Sequence, residues 1–378
     1  MTTGPAEQRP RVRVHLTNVT GTGAVRLAES LLPALVTSNA ARVSELYLPP
    51  DGPLCRLAEP WKCIDIVRIR RRLPNAVSRF VECVFPNAIS TGTEPLLVLG
   101  DLPLRNNSRQ TLFVQTPHLV SSASAQQWAA KFKFAVARFV MKLNLDRVDA
   151  VVVQTEVMRR AMASAYPAMA PKLHVVGQPV PQWLMPFRST RTGTTHDLAE
   201  GLHLVYPAAG YPHKNHALLS RIPSEESASW PVASLTITLE PARNPAPQLV
   251  WLRASGALEP DAMIDLYRQA DALLFLSLEE SYGFPLIEAM YVGIPIVCAD
   301  RPFARVLCAD DAIYFDPQSV ESLRRAVDEL QRRLTAGWWP DWRERLRQLP
   351  PSWQAVADRV LRIAAGLGES GPPAEFAN

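Results

Sequence analysis

Short apolar segments alternate with longer segments of helical periodicity along this chain, and this alternation limits the possible folds more than any other feature. The first apolar segment, residues 12–16, precedes residues 25–35, in which apolar side chains recur at three- and four-residue spacing. That spacing is typical of a helix with one buried face. Further apolar segments cover residues 96–99, 112–114 and 150–153. Strands that alternate with helices predict a parallel sheet covered on both faces.

The alternation is interrupted once and then begins again. Prolines break it between residues 175 and 181, and the polar stretch 188–200 follows. The second series of apolar segments comprises residues 202–206, 235–238, 249–251, 272–276, 294–297 and 312–315. Residues 353–365 form one more stretch of helical spacing. A chain of 378 residues is long enough for two hydrophobic cores of ordinary size.

We therefore expect an α/β protein built from two doubly wound, Rossmann-like domains. The first domain is expected at residues 1–182, a linker at 183–200 and the second domain at 201–345. Residues 346–378 are expected to form a helix able to pack back on the first domain, followed by a frayed tail. Ligands of doubly wound sheets bind outside the carboxyl ends of the strands. The functional site is therefore expected in a cleft where the two domains face each other.

A glycine-centred loop between an apolar strand and a helix is the most informative segment. The strand ends at Ser277, and the loop around Gly283 leads into a helix whose first position suits Pro285, since its missing N–H costs nothing there. Backbone N–H groups at a helix start form a natural site for a diphosphate. Glu280 on the loop and Glu288 about one turn inside the helix are then expected to contact sugar and ribose hydroxyls, because carboxylates repel phosphate.

The same segment resembles the retaining glycosyltransferase family 4, group 1 glycosyltransferases of bacterial cell-surface polysaccharide assembly with the GT-B fold. That family carries two glutamates separated by seven residues around a Gly-Phe-Pro-like loop, and Glu280 and Glu288 have this spacing. Residues 270–272, 286–290 and 293–297 match the family as well. The resemblance implies that Glu280 is catalytic and orients the transferred sugar. It also places Glu288, Gly283 and Phe284 in the donor site.

A lysine in the loop after residues 202–206 matches the same family. The resemblance implies that Lys214 is catalytic and binds the donor diphosphate as a compact positive charge, with His213 and Asn215 beside it. Family members often pair this lysine with an arginine five residues earlier, a position that Ala209 holds here. Lys214 then acts alone or with His213 and His216. An exposed lysine after a turn is the alternative.

A second glycine loop, Gly21-Thr22-Gly23, lies before residues 25–35. It begins the G-x-G-x-x-G pattern of nicotinamide-binding proteins, but Arg26 holds the third glycine position. Glu45 stands about where that pattern has its acidic residue, so a nicotinamide site and a plain tight turn are alternatives. The family resemblance instead implies that Gly21 and Gly23 border the acceptor.

Two polar residues follow the apolar segment 112–114. Many relatives have a histidine near the sugar immediately after this strand, where this chain has Gln115. His118 comes three residues later and can take that role from a neighbouring position. The resemblance thus assigns Gln115 and His118 to the acceptor side, and a structural histidine is the alternative for His118.

Positive charge is concentrated in two places, although the net charge is only +4. One cluster is formed by Arg68, Arg70, Arg71 and Arg72, and the other by Lys131, Lys133, Arg138 and Lys142. Phenylalanines are interleaved with the second cluster, so it suits either a solvated helix with an apolar inner face or a basic surface in peripheral contact with an anionic membrane. No nucleic-acid-binding motif accompanies the charge, and a nucleic-acid partner is not expected.

Several motifs are absent from the sequence, and their absence narrows the expectation. There is no Asp-x-Asp triplet of the kind that holds a divalent metal on donor phosphates, and no G-x-x-x-x-G-K-[ST] phosphate loop. Five scattered cysteines imply neither a zinc site nor a disulfide framework. We expect no cofactor and no metal. Because residues 1–11 are polar and no apolar run reaches the length of a membrane span, we expect a cytoplasmic protein, peripheral on the inner face of the membrane where the basic cluster contacts it.

The sequence thus predicts a retaining hexosyltransferase that moves a hexose or deoxyhexose from a nucleoside-diphosphate sugar to a glycan or lipid-linked glycan acceptor. Two other classes stay open. A glycoside hydrolase also uses paired carboxylates, but it has no use for Lys214 or for a diphosphate site. A catalytically inactive GT-B protein that binds sugar or nucleotide is compatible with Ala209 and Gln115.

Overall fold

The computed structural model describes most of the chain, in two compact units. The described residues are 9–19, 21–71, 75–86, 92–120, 128–187 and 191–368, with the side chains of 75, 76, 128–131 and 133 excepted. The first unit holds the described residues up to Pro179 together with those from Pro350 onward, and the second holds the described residues of Val180–Leu349. The chain therefore enters the second unit once and then returns to the first.

Thirteen strands and twelve α-helices are found in the described residues. The strands are Arg11–His15 (β1), Arg42–Leu48 (β2), Asp65–Arg68 (β3), Leu96–Val98 (β4), Gln110–Phe113 (β5), Val148–Val153 (β6), Leu173–Val175 (β7), Leu202–Tyr206 (β8), Val232–Ile237 (β9), Leu252–Ala254 (β10), Ala272–Phe275 (β11), Ile296–Ala299 (β12) and Ile313–Phe315 (β13). The helices are Thr22–Thr37 (α1), Pro53–Ala58 (α2), Asn75–Val84 (α3), Trp128–Leu143 (α4), Glu156–Ala165 (α5), Ser224–Ser227 (α6), Pro260–Gln269 (α7), Phe284–Val292 (α8), Pro302–Cys308 (α9), Val320–Thr335 (α10), Arg343–Arg347 (α11) and Trp353–Ala364 (α12).

Each unit is built on one parallel sheet. The first sheet has the order β3-β2-β1-β4-β5-β6-β7, and the second has the order β10-β9-β8-β11-β12-β13. All neighbouring strands pair in parallel. Both orders begin 3-2-1-4 when counted within the unit, which is the doubly wound arrangement. The predicted α/β class is confirmed.

The central strands form because their side chains are buried on both sheet faces. Every residue of β4, β5, β11 and β12 is buried, which explains their continuous apolar runs. The edge strand β3 is half-exposed and carries the sequence Asp-Ile-Val-Arg. β2, β3 and β7 were not among the predicted segments, and the predicted segment 249–251 precedes β10 instead of forming it.

Helix α12 completes the first unit, although it follows the second unit in the sequence. It packs along α1, where Ser38 Oγ donates to Asp358 Oδ1 at 2.5 Å and Gln354 Nε2 donates to Ala34 O at 3.3 Å. Val356 and Val360 of this helix are buried. The helix begins after Ser352, whose side chain accepts a hydrogen bond from the Ala355 backbone and caps the first turn.

None of the helices in the described residues is both long and apolar enough to cross a membrane.

Candidate functional site

The strand order of the second sheet reverses between β8 and β11. The chain proceeds from β8 to β9 and β10 on one side, and through β11 to β12 and β13 on the other. Loops that leave the two central strands diverge, and ligands of doubly wound proteins bind in the crevice between such loops. Lys214 follows β8 and Glu280 follows β11. The two residues that the sequence marks as catalytic therefore lie at this switch point.

Lys214 and Glu280 form an ion pair there. Lys214 Nζ lies 2.5 Å from Glu280 Oε1, and the two side chains are 15% and 12% exposed. The structure thus brings together two residues that are far apart in the sequence. Because both charged groups stay partly open to solvent, a ligand that approaches this edge of the sheet meets them directly.

Tyr206, the last residue of β8, fixes the backbone beneath this pair. Its hydroxyl donates to the carbonyl oxygen of Lys214 over 2.7 Å and lies 2.9 Å from Ser277 Oγ. Burial raises the pKa of Tyr206 well above its usual value, so the hydroxyl keeps the proton that it donates. Sequence reasoning missed this residue because a tyrosine that ends an apolar segment resembles ordinary core.

The loop that carries Lys214 is held on both sides. The Leu278 N–H donates to the carbonyl oxygen of His213 at 2.8 Å, which ties the loop after β8 to the loop after β11. Asn215 adopts a left-handed conformation with φ of 57°, and its Nδ2 donates to Pro317 O at 3.0 Å. The His213 ring stacks on the Tyr211 ring at 5.6 Å. Asn215 therefore shapes the loop, and the donor contacts expected of His213 and Asn215 stay predictions.

His216 does not add positive charge to the site. It is buried, and its ring packs 5.0 Å from the Tyr206 ring. Burial, followed by the nearby charges of Lys214 and Arg243, lowers the pKa of His216 to about 4. The imidazole is therefore neutral at neutral pH. A neutral imidazole adds no full positive charge beside Lys214, and a contact of His216 with a diphosphate stays a prediction.

Helix α8 begins beside the ion pair. Gly283 precedes it with φ of +98°, a conformation in which a side chain would be strained. Phe284 is the first residue of the helix and Pro285 the second, one position later than predicted. Tyr282 is buried, and its ring meets the Phe284 ring edge-on at 5.4 Å. The buried Tyr282 ring thus holds the loop in place, and the helix begins at the carboxyl edge of the sheet.

Glu288 lies inside α8 and is almost fully buried. Its Oε2 accepts a hydrogen bond from the Tyr267 hydroxyl at 2.7 Å. Burial, together with the charge and hydrogen bond of Glu288, raises the pKa of Tyr267 well above its usual value, so the phenol remains a donor. Tyr267 orients the carboxylate and was not predicted. The contact of Glu288 with a donor ribose stays a prediction.

The acceptor-side residues lie in the first unit. Gly21 precedes α1 and Gly23 lies in its first turn, and a side chain at either position would meet no described atom within 4 Å. Gln115 follows β5, where its Nε2 donates to Leu99 O at 3.0 Å. The His118 ring packs against the Phe134 ring at 4.4 Å. The unit's own groups thus engage Gln115 and His118, and the acceptor roles of all four residues stay predictions.

Arg71 belongs to a buried polar network and not to a basic surface. Its Nε donates to Glu82 Oε1 at 2.9 Å, its Nη1 to Thr17 O at 3.1 Å, and its Nη2 to Asn18 Oδ1 and to Thr17 Oγ1. The Arg71 and Glu82 side chains are 10% and 6% exposed. Arg72 of the same predicted cluster lies outside the described residues.

Part of the second unit matches a known protein family. Residues 252–333, from β10 into α10, match the family described as Glycosyl transferases group 1. This segment includes Glu280, Gly283, Phe284 and Glu288, while Lys214 lies before it.

Two relatives are similar to this chain over more residues than the family match covers. The serotype-specific mannosyltransferase WbdA of Escherichia coli is 30% identical over 100 residues, which are 26% of this chain and 12% of that protein. The O-antigen chain mannosyltransferase RfbU of Salmonella typhimurium is 22% identical over 201 residues, 52% of this chain and 54% of that protein. The chain thus spans about half the length of RfbU and about an eighth of WbdA.

A solved structure shares the fold. The crystal structure of Anabaena HepE in complex with UDP-glucose covers 95% of this chain and 98% of its own, with a TM-score of 0.58 and 13% identity. At this identity the likeness establishes the fold alone. The predicted GT-B class is confirmed.

Proposed function

We propose that this protein transfers a hexose or deoxyhexose from a nucleoside-diphosphate sugar to a glycan, with retention of the anomeric configuration. The observation that carries the proposal is the Lys214–Glu280 ion pair at the switch point of a sheet whose strands β10 to β13 lie in the segment that matches the group 1 glycosyl transferases. A cation, a carboxylate and a helix start at one edge suit a sugar attached to a diphosphate.

The diphosphate is assigned to Lys214 and to the start of α8. As the bond between sugar and phosphate breaks, negative charge grows on the leaving phosphate, and fixed positive groups then stabilise the transition state. Lys214 supplies a full charge, while the backbone N–H groups of Gly283 and Phe284 supply the partial positive charge of a helix start. The imide nitrogen of Pro285 has no hydrogen to donate.

The two glutamates are assigned to hydroxyl groups. Glu280 orients the transferred sugar, while Lys214, its ion-pair partner in the structure, contacts the diphosphate. Glu288, oriented by Tyr267, accepts hydrogen bonds from the donor ribose. In a retaining transfer of this kind the leaving phosphate accepts the proton of the acceptor hydroxyl, so neither glutamate is assigned as a nucleophile.

The acceptor is proposed to be a glycan, lipid-linked in cell-surface polysaccharide assembly. WbdA and RfbU are mannosyltransferases, and RfbU acts on the O-antigen chain according to its name. Gly21, Gly23, Gln115 and His118 are assigned to the acceptor side. We place the enzyme in the cytoplasm, in peripheral contact with the inner face of the membrane, and assign it no cofactor and no metal.

A ligand screen tests the donor class. UDP, GDP, dTDP and their sugars are added one at a time to the full chain, and its melting temperature is measured. A nucleotide that binds only the folded protein raises that temperature, and HepE, crystallised with UDP-glucose, makes UDP the first nucleotide to try. Stabilisation by none of them contradicts the proposal.

Glu280→Gln tests the assigned carboxylate. The change keeps the shape and removes the charge, so we expect transfer to fall by about a hundredfold or more with little change in nucleotide affinity. Glu259→Gln, an exposed glutamate before α7, is the matched control and should behave as wild type. Activity of Glu280→Gln within about twofold of wild type removes Glu280 from the reacting centre.

Two further measurements test the mechanism. NMR of the product determines its anomeric configuration, and inversion contradicts the retaining assignment. EDTA is added during turnover, and transfer is expected to continue because protein groups meet the phosphate charge. Loss with EDTA and rescue by magnesium or manganese contradicts the metal-independent assignment.

We propose that α3 and α4 of the first unit form the membrane-facing surface. The exposed large apolar residues on or next to these neighbouring helices are Val77, Phe80, Phe85, Phe132, Phe139 and Leu143. Helix α4 has no acidic residue and carries Lys131, Lys133, Arg138 and Lys142. The side chains of Lys131 and Lys133 lie outside the described residues. Exposed aromatic rings on a helix rich in basic residues suit the interface of an anionic bilayer.

Vesicle binding tests this surface. Wild type should bind phosphatidylglycerol vesicles and release them as salt is added, because salt screens surface charge. Glutamine at all four basic positions should weaken binding by roughly 1 kcal/mol per residue. Phe132→Ser with Phe139→Ser should weaken it as well, whereas Val250→Ser, an 85% exposed apolar residue of the second unit, should not. Unchanged binding of both multiple variants contradicts the proposal.

A further inference from the structure

The proposed donor site needs a second permanent positive charge. A nucleoside diphosphate carries more than one negative charge near neutral pH, whereas Lys214 already contacts the carboxylate of Glu280. His216 is neutral, since burial and nearby positive charges lower its pKa to about 4, and Ala209 has no charge. The cation must therefore come from a loop outside the one that carries Lys214.

Arg243 stands at the required place. It ends the short 3-10 helix Pro241–Arg243, which follows β9, the neighbour of β8. The carboxyl ends of parallel neighbours lie at one edge of the sheet, so Arg243 and Lys214 occupy adjacent loops. Arg243 Nη2 donates to Gly210 O at 3.1 Å, which places the guanidinium on the loop that leads to Lys214.

Gly210 makes room for this guanidinium. A Cβ atom built on Gly210 would lie 2.5 Å from Arg243 Nη2, 2.8 Å from Cζ and 3.2 Å from Nη1. All three atoms therefore lie over the backbone of residue 210, in space that any other residue would fill. The charges of Lys214 and Arg243 both lower the pKa of His216. Both cations therefore lie near the same ring.

Arg243 has no carboxylate that neutralises it within the described residues. It is exposed, and the one described hydrogen bond of its guanidinium is to the carbonyl oxygen of Gly210. A guanidinium offers five N–H donors in a planar fork that matches phosphate oxygens. Arg243 thus retains both its charge and most of its donors for a ligand.

We propose that Arg243 binds the diphosphate of the nucleotide donor together with Lys214, and that Gly210 is the residue that allows it to do so. This inference rests on the proposed function, because it names a further residue for the same donor site. It also explains how the site can work with an alanine at position 209.

Nucleotide affinity tests the inference. The nucleoside diphosphate that most stabilises wild type is titrated by calorimetry, followed by its parent nucleoside and by inorganic pyrophosphate. Arg243→Gln should weaken diphosphate and pyrophosphate binding by about ten- to a hundredfold, as expected for lost charged hydrogen bonds, and should leave nucleoside binding unchanged. The diphosphate affinity of Arg243→Lys should lie between those of wild type and Arg243→Gln, because lysine keeps the charge and lacks the planar fork of donors.

Two controls separate charge from folding. Arg253→Gln removes an exposed arginine from β10 of the same unit, and its affinity should equal that of wild type. Gly210→Ala keeps Arg243 and displaces its guanidinium, so it should reproduce part of the loss at an unchanged melting temperature. In the Arg243→Gln background Gly210→Ala should have no further effect on affinity.

The outcomes are distinguishable. Wild-type binding of a nucleoside diphosphate with equal affinity in Arg243→Gln overturns the inference and leaves the proposed function standing. Equal loss of nucleoside and diphosphate affinity makes Arg243 a base contact and overturns the diphosphate assignment. Failure of wild type to bind any nucleoside diphosphate overturns the proposed function and the inference together. If Arg243→Gln does not fold, Gly210→Ala decides by the same comparison.

Discussion

The two units place an ion pair near the carboxyl edge of the same kind of sheet, yet the pairs differ in what surrounds them. In the first unit, Arg71 contacts Glu82 and also Thr17 and Asn18. In the second unit, Glu280 is the described side-chain partner of Lys214. The Arg71 guanidinium therefore donates to several protein acceptors, whereas the Lys214 ammonium has one described side-chain acceptor and further N–H groups for a ligand.

This difference indicates which pair serves the fold and which serves a ligand. A buried ion pair is costly to form, and it is destabilising to break because one charge is left behind without compensation. A pair that a ligand can reach exchanges one partner for another when the ligand arrives. The saturated network of Arg71 is therefore expected to govern stability, and the open pair of Lys214 is expected to govern binding.

Replacing each cation by methionine is the strongest test of this comparison. Arg71→Met leaves Glu82 buried without its partner, and the free energy of unfolding of the first unit should fall by about 3–5 kcal/mol. Lys214→Met should cost the second unit about 1 kcal/mol, since solvent reaches Glu280. Urea unfolding gives the totals, and hydrogen exchange assigns each loss to peptides of one unit. Comparable losses from the two substitutions contradict the comparison.

Alanine substitutions at Gly100, beside Asn18, and at Gly210, beside Arg243, should show a smaller difference in stability. A Cβ atom at Gly100 would lie 2.7 Å from Asn18 Cβ, which cannot move without disturbing the bonds of Asn18 to Arg71. Gly100→Ala should therefore lower stability by about 1–3 kcal/mol, as overpacking does. Gly210→Ala meets only the mobile end of Arg243 and should change stability by less than about 0.5 kcal/mol. Melting temperatures of the two variants measure the difference, and an equal drop in both refutes the explanation.

Mild acid should affect both units through buried histidines, chiefly His15 in the first unit and His216 in the second. Burial, followed by the charges of Arg71 and Arg79, lowers the pKa of His15 from 6.5 to about 3, and that of His216 falls from 6.5 to about 4. Below pH 6.5 these histidines bind protons in the unfolded chain but stay neutral in the folded chain. The free energy of unfolding therefore decreases as pH falls. Each histidine contributes at most about 1.4 kcal/mol per pH unit, a slope that is approached roughly one pH unit below 6.5.

His216→Gln should reduce this pH dependence in the second unit, where the lowered pKa of His203 leaves a remainder, and should leave it unchanged in the first. Unfolding is followed by hydrogen exchange at several pH values between neutrality and about pH 5, before most carboxylates titrate. An unchanged slope in the second unit contradicts the assignment of that slope to His216.

The central strands of both sheets could be predicted from the sequence because burial on both faces leaves an uninterrupted apolar run. The edge strands could not. β3 is half-exposed, and its residues read as neither an apolar run nor a helix. β7 and β10 have three residues each, and pairing with β6 and β9 is what makes them strands. Their assignment depends on partners that a linear pattern does not contain.

The candidate site could be proposed from the sequence where a local motif marked it. The loop before α8 carries Glu280 and Gly283, and Glu288 follows inside the helix, so one stretch of sequence was enough to propose them. Arg243 had no such signal, because its position depends on how the loop after β9 folds over Gly210. The neutral state of His216 was equally hidden, since burial against Tyr206 causes it.

The position of α12 in the sequence has a consequence for the order of folding during synthesis. Residues up to 349 contain all of the second unit's described elements, whereas the first unit still lacks the helix that covers α1. On the ribosome, the unit that begins first is therefore completed last. Until residues 353–364 emerge, α1 lacks the helix that packs along it.

In nascent chains that stop after residue 349, α1 near the start of the sequence therefore still lacks its partner helix α12. A protease or a chaperone would meet the unfinished α1 surface while the second unit is already protected. Premature termination in the last tenth of the chain is therefore expected to expose the unit that was translated at the beginning.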